Sequence, residues 1–574
     1  MTDLLAGLDD EQRLAAETLL GPVCILAGAG TGKTRTLTHR IAHGVATGAY
    51  DPARVMALTF TSRAAGELRS RLRALGAEGV AARTFHAAAL SQLGYFWPDV
   101  VGGPPPRVLS AKGPLLGQAA ESLRLGVDTA ALRDVAAEIE WRKVSRLSIE
   151  EYARVAPVRS LPPGLGPDGV VALQERYEAI KDERRQIDFE DVLLVTAGMI
   201  ETEPRVADQV RAQYRFFVVD EYQDVSPLQQ ALLELWLGNR SELCVVGDAS
   251  QTIYSFTGAS DEFLLGFPSR YPEATVVRLE RNYRSTPRVL ALANRLMRGR
   301  PGALELHAAE PADASARKPG EEPEFAEHPS DLAEARAVAA EIAREIEAGT
   351  RPERIAVLYR VNSQAAALEA ALADLGIGAR QLGATRFFDL EAVKKAILAL
   401  RVAARDARQL ALPLFQAVSD VARGLGWTLA APEAGGAVRE RWEALTAIVE
   451  LADQAPAGTG LADFVAELEA RQAAQHEPPV SAVALSTIHA AKGLEWDSVH
   501  LVGLAEGLLP IAHARGPAAI EEERRLLYVG VTRARQRLAL SWSREGIRGQ
   551  RREPSRFLAE LRTGTRGAAA SGLR

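Results

Sequence analysis

Short apolar runs alternate with amphipathic segments along the first ninety residues. The runs Pro22–Leu26 and Arg54–Thr61 have the length and composition of buried strands. Leu8–Leu19 and Thr34–Ile41 instead repeat their apolar residues at helical spacing, and Asp9 or Asp10 would cap the first of these helices. Strands that alternate with helices are typical of a parallel α/β sheet.

This alternation is interrupted and then resumes. Residues from about 91 to 188 are mainly helical in pattern, which predicts a helical insertion in the first sheet domain. Strands return at Tyr214–Asp220 and Leu243–Gly247, and a further strand is predicted at Arg354–Tyr359. Between them, Gly299–Glu324 is rich in Ala, Pro, Glu and Gly, which predicts an extended or partly disordered loop.

Composition limits the classes of protein to consider. The 574 residues predict several domains, and 47% hydrophobic with 25% charged residues is typical of a globular protein. The net charge of −6 gives no global attraction to nucleic acid, so any such contact must come from a local groove. Cys24 and Cys244 lie in apolar runs, which favours buried thiols over a disulfide or metal site. Without a long apolar run or signal peptide, we expect a cytoplasmic protein that does not bind membranes.

A glycine-rich stretch, Ala27–Thr34, lies between a predicted strand and a predicted helix. It fits the pattern G-x-x-x-x-G-K-[ST] except that Ala27 replaces the first glycine. A helix N-terminus that follows such a loop directs free N–H groups and the helix dipole at a phosphate. Lys33 would reach the outer phosphates, and the Thr34 hydroxyl would bind Mg²⁺. The phosphate-binding backbone is predicted to comprise Gly28, Ala29, Gly30, Thr31 and Gly32.

Two further strand ends carry polar residues suited to the same chemistry. Asp220 follows a buried run and is expected to hold Mg²⁺ through water, and Glu221 is placed to polarise the attacking water. After the next strand, Gln251 is a candidate sensor of the γ-phosphate. Tyr254 and Phe256 offer flat faces for stacking bases, although such a pair also packs in protein cores.

Read together, these stretches resemble the UvrD/Rep-type superfamily 1 DNA helicases, with eight motifs in the expected order. The sequence of residues 219–229 is most similar to that of a subgroup found in actinobacteria and their relatives. The resemblance covers about Leu8 to Leu540. Its motifs are Ala27–Thr34, Leu58–Ala65, Thr84–His86, Val219–Asp224, Gly247–Tyr254, Leu279–Thr286, Ser486–Trp496 and Glu522–Ala534.

The resemblance implies roles around ATP for residues that the pattern alone leaves open. Arg284 and Arg533 match the two family arginines that stabilise the charge developing on the γ-phosphate. Gln12 would read the adenine edge, although a glutamine at such a position is by itself more often a solvated helix residue. Arg35 and Tyr283 would flank the adenine ring, and Glu495 would meet the ribose.

The resemblance also implies a track for single-stranded DNA, because stacking on aromatic rings tolerates any base sequence. For the two histidines in this set, a hydrogen-bonded residue at a strand end is the alternative. Movement along the strand is expected in the 3′-to-5′ direction. The residues that match the track are Phe60, His86, Tyr254, Phe256 and His489.

The implied architecture is two RecA-like P-loop NTPase lobes with parallel sheets, each carrying a mainly helical insertion. The first lobe would comprise residues 1–90 and 189–283, with the insertion at 91–188. The second would comprise 284–395 and 480–560, with a reduced insertion at 396–479 and a flexible tail at 561–574.

Two departures from the family bear on the DNA contacts. Phe256 and Thr257 stand where relatives have a tryptophan and an arginine. Residues 543–552 lack the aromatic side chain that many relatives use to separate strands, and their arginines either hold duplex phosphates or form a solvated basic loop. ATP hydrolysis and translocation therefore follow more directly from the sequence than unwinding does.

The sequence thus predicts an ATP- and Mg²⁺-dependent enzyme that translocates on single-stranded DNA and unwinds 3′-tailed duplex, in repair or replication. One alternative is a translocase that displaces proteins or needs a partner to unwind. Another is an ATP-controlled module that binds DNA or a polymerase without moving. RNA is not distinguished from DNA by these residues. We expect a monomer or weak oligomer with a repair or polymerase partner.

Overall fold

The computed structural model describes residues 4–562 except 160, 163, 310–319, 383–387, 389, 431, 433–435, 457, 475–481 and 547–548. The chain divides into two compact units. The first comprises Met1–Arg284 with Arg298–Ala309, and the second Ser285–Met297 with Glu310–Arg574. Residues 563–574 of the expected tail at 561–574, and residues 310–319 of the expected loop at Gly299–Glu324, lie outside the described residues.

The first unit is built on a six-stranded parallel sheet in the order β3-β2-β6-β7-β1-β8. Its central strands are almost wholly apolar, as expected where both faces of a parallel sheet are covered. Two further sheets, each of two short strands, are separate from this sheet. The strands are Val23–Ala27 (β1), Val55–Thr59 (β2), Ala81–Thr84 (β3), Arg107–Val108 (β4), Gln186–Ile187 (β5), Phe216–Val219 (β6), Leu243–Gly247 (β7), Thr275–Leu279 (β8), Arg281–Asn282 (β9) and His307–Ala308 (β10).

Helices cover both faces of this sheet. Cys24 and Cys244 are both buried free thiols, and they belong to two cores on opposite faces because side chains alternate along a strand. The helices of the first unit are Asp10–Glu17 (α1), Lys33–Ala46 (α2), Ser62–Ala74 (α3), Phe85–Val100 (α4), Gly113–Ser122 (α5), Thr129–Val144 (α6), Ile149–Val155 (α7), Pro167–Glu183 (α8), Phe189–Thr202 (α9), Pro204–Gln213 (α10), Pro227–Leu237 (α11), Glu262–Leu265 (α12) and Phe267–Arg270 (α13).

Helices α5–α8 form a helical body with its own core. Leu116, Tyr152, Leu173 and Tyr177 are fully buried in it. The chain enters and leaves this body at the β4–β5 ladder. Helix α4, by contrast, buries its apolar face in the core of the sheet, so the helical insertion begins after Val100 rather than at residue 91.

The second unit repeats the architecture with a six-stranded parallel sheet in the order β11-β16-β15-β12-β14-β13. Its strands are Glu324–Ser330 (β11), Ile355–Tyr359 (β12), Ala379–Leu382 (β13), Val483–Thr487 (β14), Trp496–Leu501 (β15) and Ala534–Glu545 (β16). Its helices are Pro287–Met297 (α14), Asp331–Glu347 (α15), Ala365–Asp374 (α16), Glu391–Ala403 (α17), Ala407–Leu410 (α18), Leu414–Gly424 (α19), Gly436–Asp453 (α20), Leu461–Ala474 (α21), Pro517–Val531 (α22) and Arg556–Arg562 (α23).

Helices α17–α21 again make a separate apolar core, in which Trp427, Leu445 and Phe464 are buried. The fold predicted from the sequence, two parallel α/β sheets with helical insertions, is therefore confirmed. The chain divides after Arg284, close to the expected boundary, except that residues 298–309 belong to the first unit. Helix α14 packs on α22 in the second unit, whereas the following segment returns to the first unit because β10 pairs with β9.

Candidate functional site

The loop between β1 and α2 has a backbone that only glycine accommodates at two positions. Gly30 and Gly32 have φ angles of +69° and +83°. A Cβ on Gly30 would lie 2.5 Å from Asn282 Nδ2, and one on Gly32 would lie 2.7 Å from Gln12 Nε2. Close packing therefore imposes the glycine pattern as strictly as backbone strain does.

Neighbouring donors occupy the carbonyl groups of this loop. Asn282 Nδ2 donates to Ala29 O at 2.6 Å, the Tyr283 N–H to Gly30 O at 2.8 Å, and Gln12 Nε2 to Thr31 O at 2.8 Å. Within the described residues, the N–H groups of residues 29–33 donate to no protein acceptor. These N–H groups, at the start of α2, form the concave donor set that a phosphate group requires.

Lys33 lies beside this loop and beside two carboxyl groups. Its Nζ donates to Ala27 O at 3.2 Å and to Gly28 O at 3.4 Å. Its positive charge lowers the pKa of Asp220 and of Asp248, opposing the effect of burial on each. Thr34, in the first turn of α2, is half-buried.

The ends of β6 and β7 are adjacent in the sheet and carry a linked polar network. Gln251 Nε2 donates to Asp248 Oδ2 at 2.7 Å, and Asp248 N–H donates to Gln223 Oε1 at 3.0 Å. Gln223 Nε2 donates in turn to Glu221 Oε2 at 2.5 Å. Glu221 has a φ of +52°, a conformation that L residues adopt rarely and that is often found at functional sites. The predicted Glu221 and Gln251 are thus joined through two residues that the sequence reasoning missed.

Burial controls the protonation of this network. Burial, and then the charge of the neighbouring Glu221, raise the pKa of Asp220 to about 7. Burial also raises the pKa of Asp248. Two carboxyl groups with raised pKa values near one lysine fit a site that binds a cation, because a bound cation would favour the ionised form of each carboxyl group. Asp248 has the same sequence signal as Asp220, an acidic residue directly after a buried strand.

The predicted adenine-binding residues lie around the start of α1 and α2. Gln12 is almost fully buried, and its Oε1 accepts a long 3.4 Å hydrogen bond from the Asp9 N–H while its Nε2 contacts the loop. Tyr283 is 44% exposed and donates through its hydroxyl to Asp9 Oδ2 at 2.5 Å. Arg35 is exposed, and a Cβ on Gly7 would lie 2.5 Å from its Nη2. In this structure the side-chain amide of Gln12 donates to the loop between β1 and α2.

The two predicted arginines lie in different units. Arg284 is in the first unit and lies close to the phosphate loop. A Cβ added to Gly30 would lie 2.8 Å from the Cβ of Arg284. Arg533 is in the second unit, buried, with Nε donating to Val529 O at 2.9 Å and Nη1 to Leu494 O at 3.1 Å. Glu495 of the second unit pairs with Arg535 at 3.3 Å.

Three predicted DNA-contacting rings form one surface of the first unit. The Phe60 and Tyr254 rings are stacked with centroids 5.8 Å apart, and Tyr254 meets Phe256 edge-on at 6.1 Å. Phe60 is 41% exposed and Phe256 is 62% exposed. Aromatic rings that remain this exposed contradict packing in a core and suit base stacking.

His86 stacks on a ring that the sequence reasoning missed. The His86 and Phe189 centroids are 4.0 Å apart with the rings 10° from parallel, and Phe189 is 51% exposed. Burial and the nearby Lys112 lower the pKa of His86 to about 4, so its ring is neutral at physiological pH. Its Nε2 is buried and has no hydrogen-bond partner in the described part of the chain. The available signal was an aromatic residue directly after a capping Asp188.

His489, the fifth predicted contact, lies in the second unit after β14. Burial and then Arg360 and Lys492 lower the pKa of His489 to about 3. Arg360 is held by Glu523, with Nη2 to Oε1 at 2.8 Å. The carboxyl edge of the second sheet therefore carries the Arg360–Glu523 ion pair beside a neutral imidazole.

Cofactor capacity follows from these donors. Among the described residues, no three His, Cys, Asp or Glu side chains are grouped to cage a metal ion. One carboxylate and one hydroxyl beside a phosphate loop suit Mg²⁺, which keeps its waters and binds through the substrate phosphates. No helix in the described ranges is long and apolar enough to cross a membrane.

Comparison with known proteins places this geometry in a family. Residues 8–272 match the model of the UvrD/REP helicase N-terminal domain, and residues 277–431 and 437–545 match that of the UvrD-like helicase C-terminal domain.

Relatives match along the whole chain. It is 50% identical to the ATP-dependent DNA helicase UvrD2 of Mycobacterium tuberculosis (strain ATCC 25618 / H37Rv), over 99% of this chain and 83% of that protein. It is 28% identical to the ATP-dependent DNA helicase PcrA of Bacillus subtilis (strain 168), over 97% and 86%. It is 29% identical to DNA helicase II of Haemophilus influenzae, over 98% and 88%. With both domain models matched, the chain belongs to the UvrD/REP helicase family.

Proposed function

We propose that this protein is an ATP-dependent DNA helicase that hydrolyses ATP when it binds single-stranded DNA. The carrying observation is the network that links the phosphate loop, Lys33, Asp220, Glu221 and Gln251 in one unit. Its relatives carry the names DNA helicase II and ATP-dependent DNA helicase.

Hydrolysis is assigned to residues of this network. Free N–H groups of residues 29–33 and Lys33 bind the phosphates, and Glu221 orients and polarises the attacking water. Gln251, tied to Glu221 through Asp248 and Gln223, is placed to respond to the γ-phosphate. Arg284, beside Gly30, supplies positive charge as the γ-phosphate bond breaks, and Arg533 supplies a second positive charge.

Mg²⁺ would be held by Thr34 and, through water, by Asp220. When bound, it neutralises charge on the phosphates. The raised pKa of Asp220 supports this assignment, because a cation would restore the ionised form of a carboxyl group that burial disfavours. Adenine and ribose recognition is assigned to Gln12, Arg35, Tyr283 and Glu495.

Single-stranded DNA is assigned to the exposed rings. Phe60, Tyr254 and Phe256 provide consecutive aromatic surface, and His86 adds a neutral ring beside Phe189. His489 is the corresponding contact of the second unit. Because ring stacking ignores base identity, such a surface serves a motor that passes any sequence. We infer movement from 3′ to 5′, with action in repair or replication.

A translocase with little unwinding of its own is the second candidate. Its support lies in the described segments 543–546 and 549–552, where Arg544 pairs with Glu327 and Arg552 with Asp331. Arginines paired in this way are less available to duplex phosphates than the sequence suggested. The alternative of an ATP-controlled binding module lacks comparable support, because binding alone does not require Glu221 and Gln251.

Two assays separate these candidates. ATP turnover is measured with and without single-stranded DNA, beside unwinding of duplexes with 3′ or 5′ tails. Stimulated turnover with unwinding from the 3′ tail alone is the expected result. Stimulation without unwinding would select the translocase, and turnover that ignores DNA would contradict the proposal.

A further inference from the structure

Four consecutive residues at the start of α9 connect the helical insertion to the ring pair His86–Phe189. Asp188, Glu190 and Asp191 turn inward, and the side chain of Phe189 between them is 51% exposed. Asp188 caps α9 through a reciprocal hydrogen-bond pair with Asp191, and Phe189 is the first residue of the helix.

Three lysines of the insertion bind these carboxylates, and we call them the lysine clamp: Lys112, Lys143 and Lys181. Lys143 Nζ lies 2.7 Å from Asp188 Oδ2 and 2.6 Å from Asp191 Oδ1. Lys181 contacts both of the same carboxylates. Lys112 Nζ lies 2.7 Å from Glu190 Oε2. Each lysine comes from a different part of the insertion, so the clamp fixes α9 from three directions.

The charges of the clamp are compensated and largely removed from water. Lys143, Lys181 and Asp188 are each at most 2% exposed. Glu178 closes the network from α8, with Oε1 2.9 Å from Lys143 and Oε2 2.6 Å from Lys181. Tyr177 donates its hydroxyl to Asp188 Oδ2 at 3.1 Å. The two lysines hold the pKa of Asp188 far below its usual range.

Such a cluster is a poor means of gaining stability. Removing ions from water costs several kcal/mol for each, and apolar residues of the same volume often stabilise a protein as well or better. A buried ionic network does fix geometry, because each charge has few places where it is compensated. The geometry fixed here is the direction of Phe189 and its contact with His86, at 4.0 Å between centroids.

We propose that the lysine clamp consists of positioning residues for single-stranded DNA binding, acting by holding α9 so that Phe189 and His86 stay stacked. The proposal rests on the proposed function, because it takes His86 to be a DNA contact. Without the clamp, Asp188 and Asp191 would repel each other and draw water to the start of α9. The ring pair would then lose its fixed orientation.

The test compares full-length Lys143→Met, Lys181→Met and Lys112→Met with the wild type. Binding of fluorescein-labelled oligo(dT) is measured without ATP, and ATP turnover is measured over a range of oligo(dT) concentrations. We expect DNA affinity to fall about tenfold, comparable to the loss of one stacked base, which corresponds to about 1.4 kcal/mol. Turnover at saturating DNA and the KM for ATP should stay near the wild-type values. Lys112→Arg should restore most of the affinity.

Glu138→Gln is the matched control. Glu138 is buried in the same helical body, where its Oε2 accepts from Tyr152 at 2.8 Å and its carboxylate pairs with Arg159, but it does not contact the clamp. This variant should lower the thermal midpoint without changing DNA affinity. Equal DNA affinity in the clamp variants and the wild type would overturn the inference, as would an equal loss of affinity in Glu138→Gln.

A variant that fails to fold, and a failure of the proposed function, can each be distinguished from a failure of this inference. If Lys143→Met does not fold, Lys112→Met decides the matter, because it removes a single ion pair whose lysine side chain is 16% exposed, against 2% for Lys143. Wild-type affinity in that variant would then overturn the inference. If the wild type itself neither binds oligo(dT) nor responds to it, the proposed function fails before the clamp is tested.

Discussion

The two units share a sheet architecture but carry different functional groups at the carboxyl ends of their strands. In the first unit those ends present a glycine loop and the carboxyl groups of Asp220 and Asp248. In the second they present Arg360 beside the neutral His489, without a comparable glycine loop among the described residues. A repeated fold has therefore not repeated a function. The parallel sheet supplies positions, and the residues after each strand decide the chemistry.

The difference also predicts which unit limits each step. The N–H groups proposed to bind phosphates and the carboxylate proposed to polarise water belong to the first unit, so nucleotide binding should depend mainly on that unit. The buried Arg533, held by two backbone carbonyls, belongs to the second unit. Substitution of Arg533 should therefore affect the rate of hydrolysis more than nucleotide affinity.

Replacing the proposed base of the first unit should give the largest effect. Glu221→Gln keeps the hydrogen bond from Gln223 possible but removes the charge that polarises water, so turnover should fall by about a thousandfold. ATP and DNA affinity should be unchanged in equilibrium binding. Glu242→Gln, which removes the partner of Arg215 in the same unit, is the control and should turn over normally. Normal turnover by Glu221→Gln would exclude Glu221 as the base.

The arginine beside the loop should come next. Arg284→Ala should lower turnover by about a hundredfold while changing the affinity for ATP far less, because the side chain acts on charge that develops during bond breaking. Arg278→Ala, on the exposed side of β8, serves as the control. Equal losses in affinity and turnover would assign Arg284 to ground-state binding instead.

Removing one exposed ring should have a smaller effect, on DNA alone. Phe256→Ala should raise the oligo(dT) concentration that half-saturates ATP turnover by about tenfold, as expected for one lost base stack. Tyr95, 70% exposed on α4, provides a ring of similar exposure, and Tyr95→Ala should leave this concentration unchanged. Identical behaviour of the two variants would remove Phe256 from the DNA track.

The smallest predicted effect is on how the stability of the nucleotide-free protein depends on pH. The folded protein raises the pKa of Asp220 to about 7 from its ordinary value of 3.8, so between these pH values the folded state binds a proton that the unfolded state releases. Asp220 therefore costs stability increasingly as pH rises through this window, and the cost levels off above about pH 7.

Asp220→Asn lacks this cost. Its thermal midpoint should exceed that of the wild type by a few degrees at pH 8, and the excess should shrink toward pH 5. Asp208→Asn, at an exposed position on α10, should show no such trend. A midpoint difference independent of pH would contradict the raised pKa.

Sequence patterns predicted the strands well, and they also identify candidate residues that directly follow a single strand end. Asp220, Glu221 and Lys33 follow directly from a buried run and a glycine pattern. The partners that orient them do not, because Gln223 and Asn282 act through contacts formed only in the folded chain. The same holds for Phe189, whose stacking on His86 joins residues over a hundred positions apart in sequence. The return of residues 298–309 to the first unit likewise depends on contacts formed only in the folded chain, among them the two residue pairs of the β9–β10 ladder.

The most direct test of the division between the units is Arg533→Ala, with Arg533→Lys beside it. Equilibrium binding of a fluorescent ATP analogue is measured together with ATP turnover at saturating oligo(dT). We predict nucleotide affinity close to the wild type and turnover lower by about a hundredfold, with partial recovery in the lysine variant. Wild-type turnover by Arg533→Ala, or a loss of nucleotide affinity as large as the loss of turnover, would contradict this account.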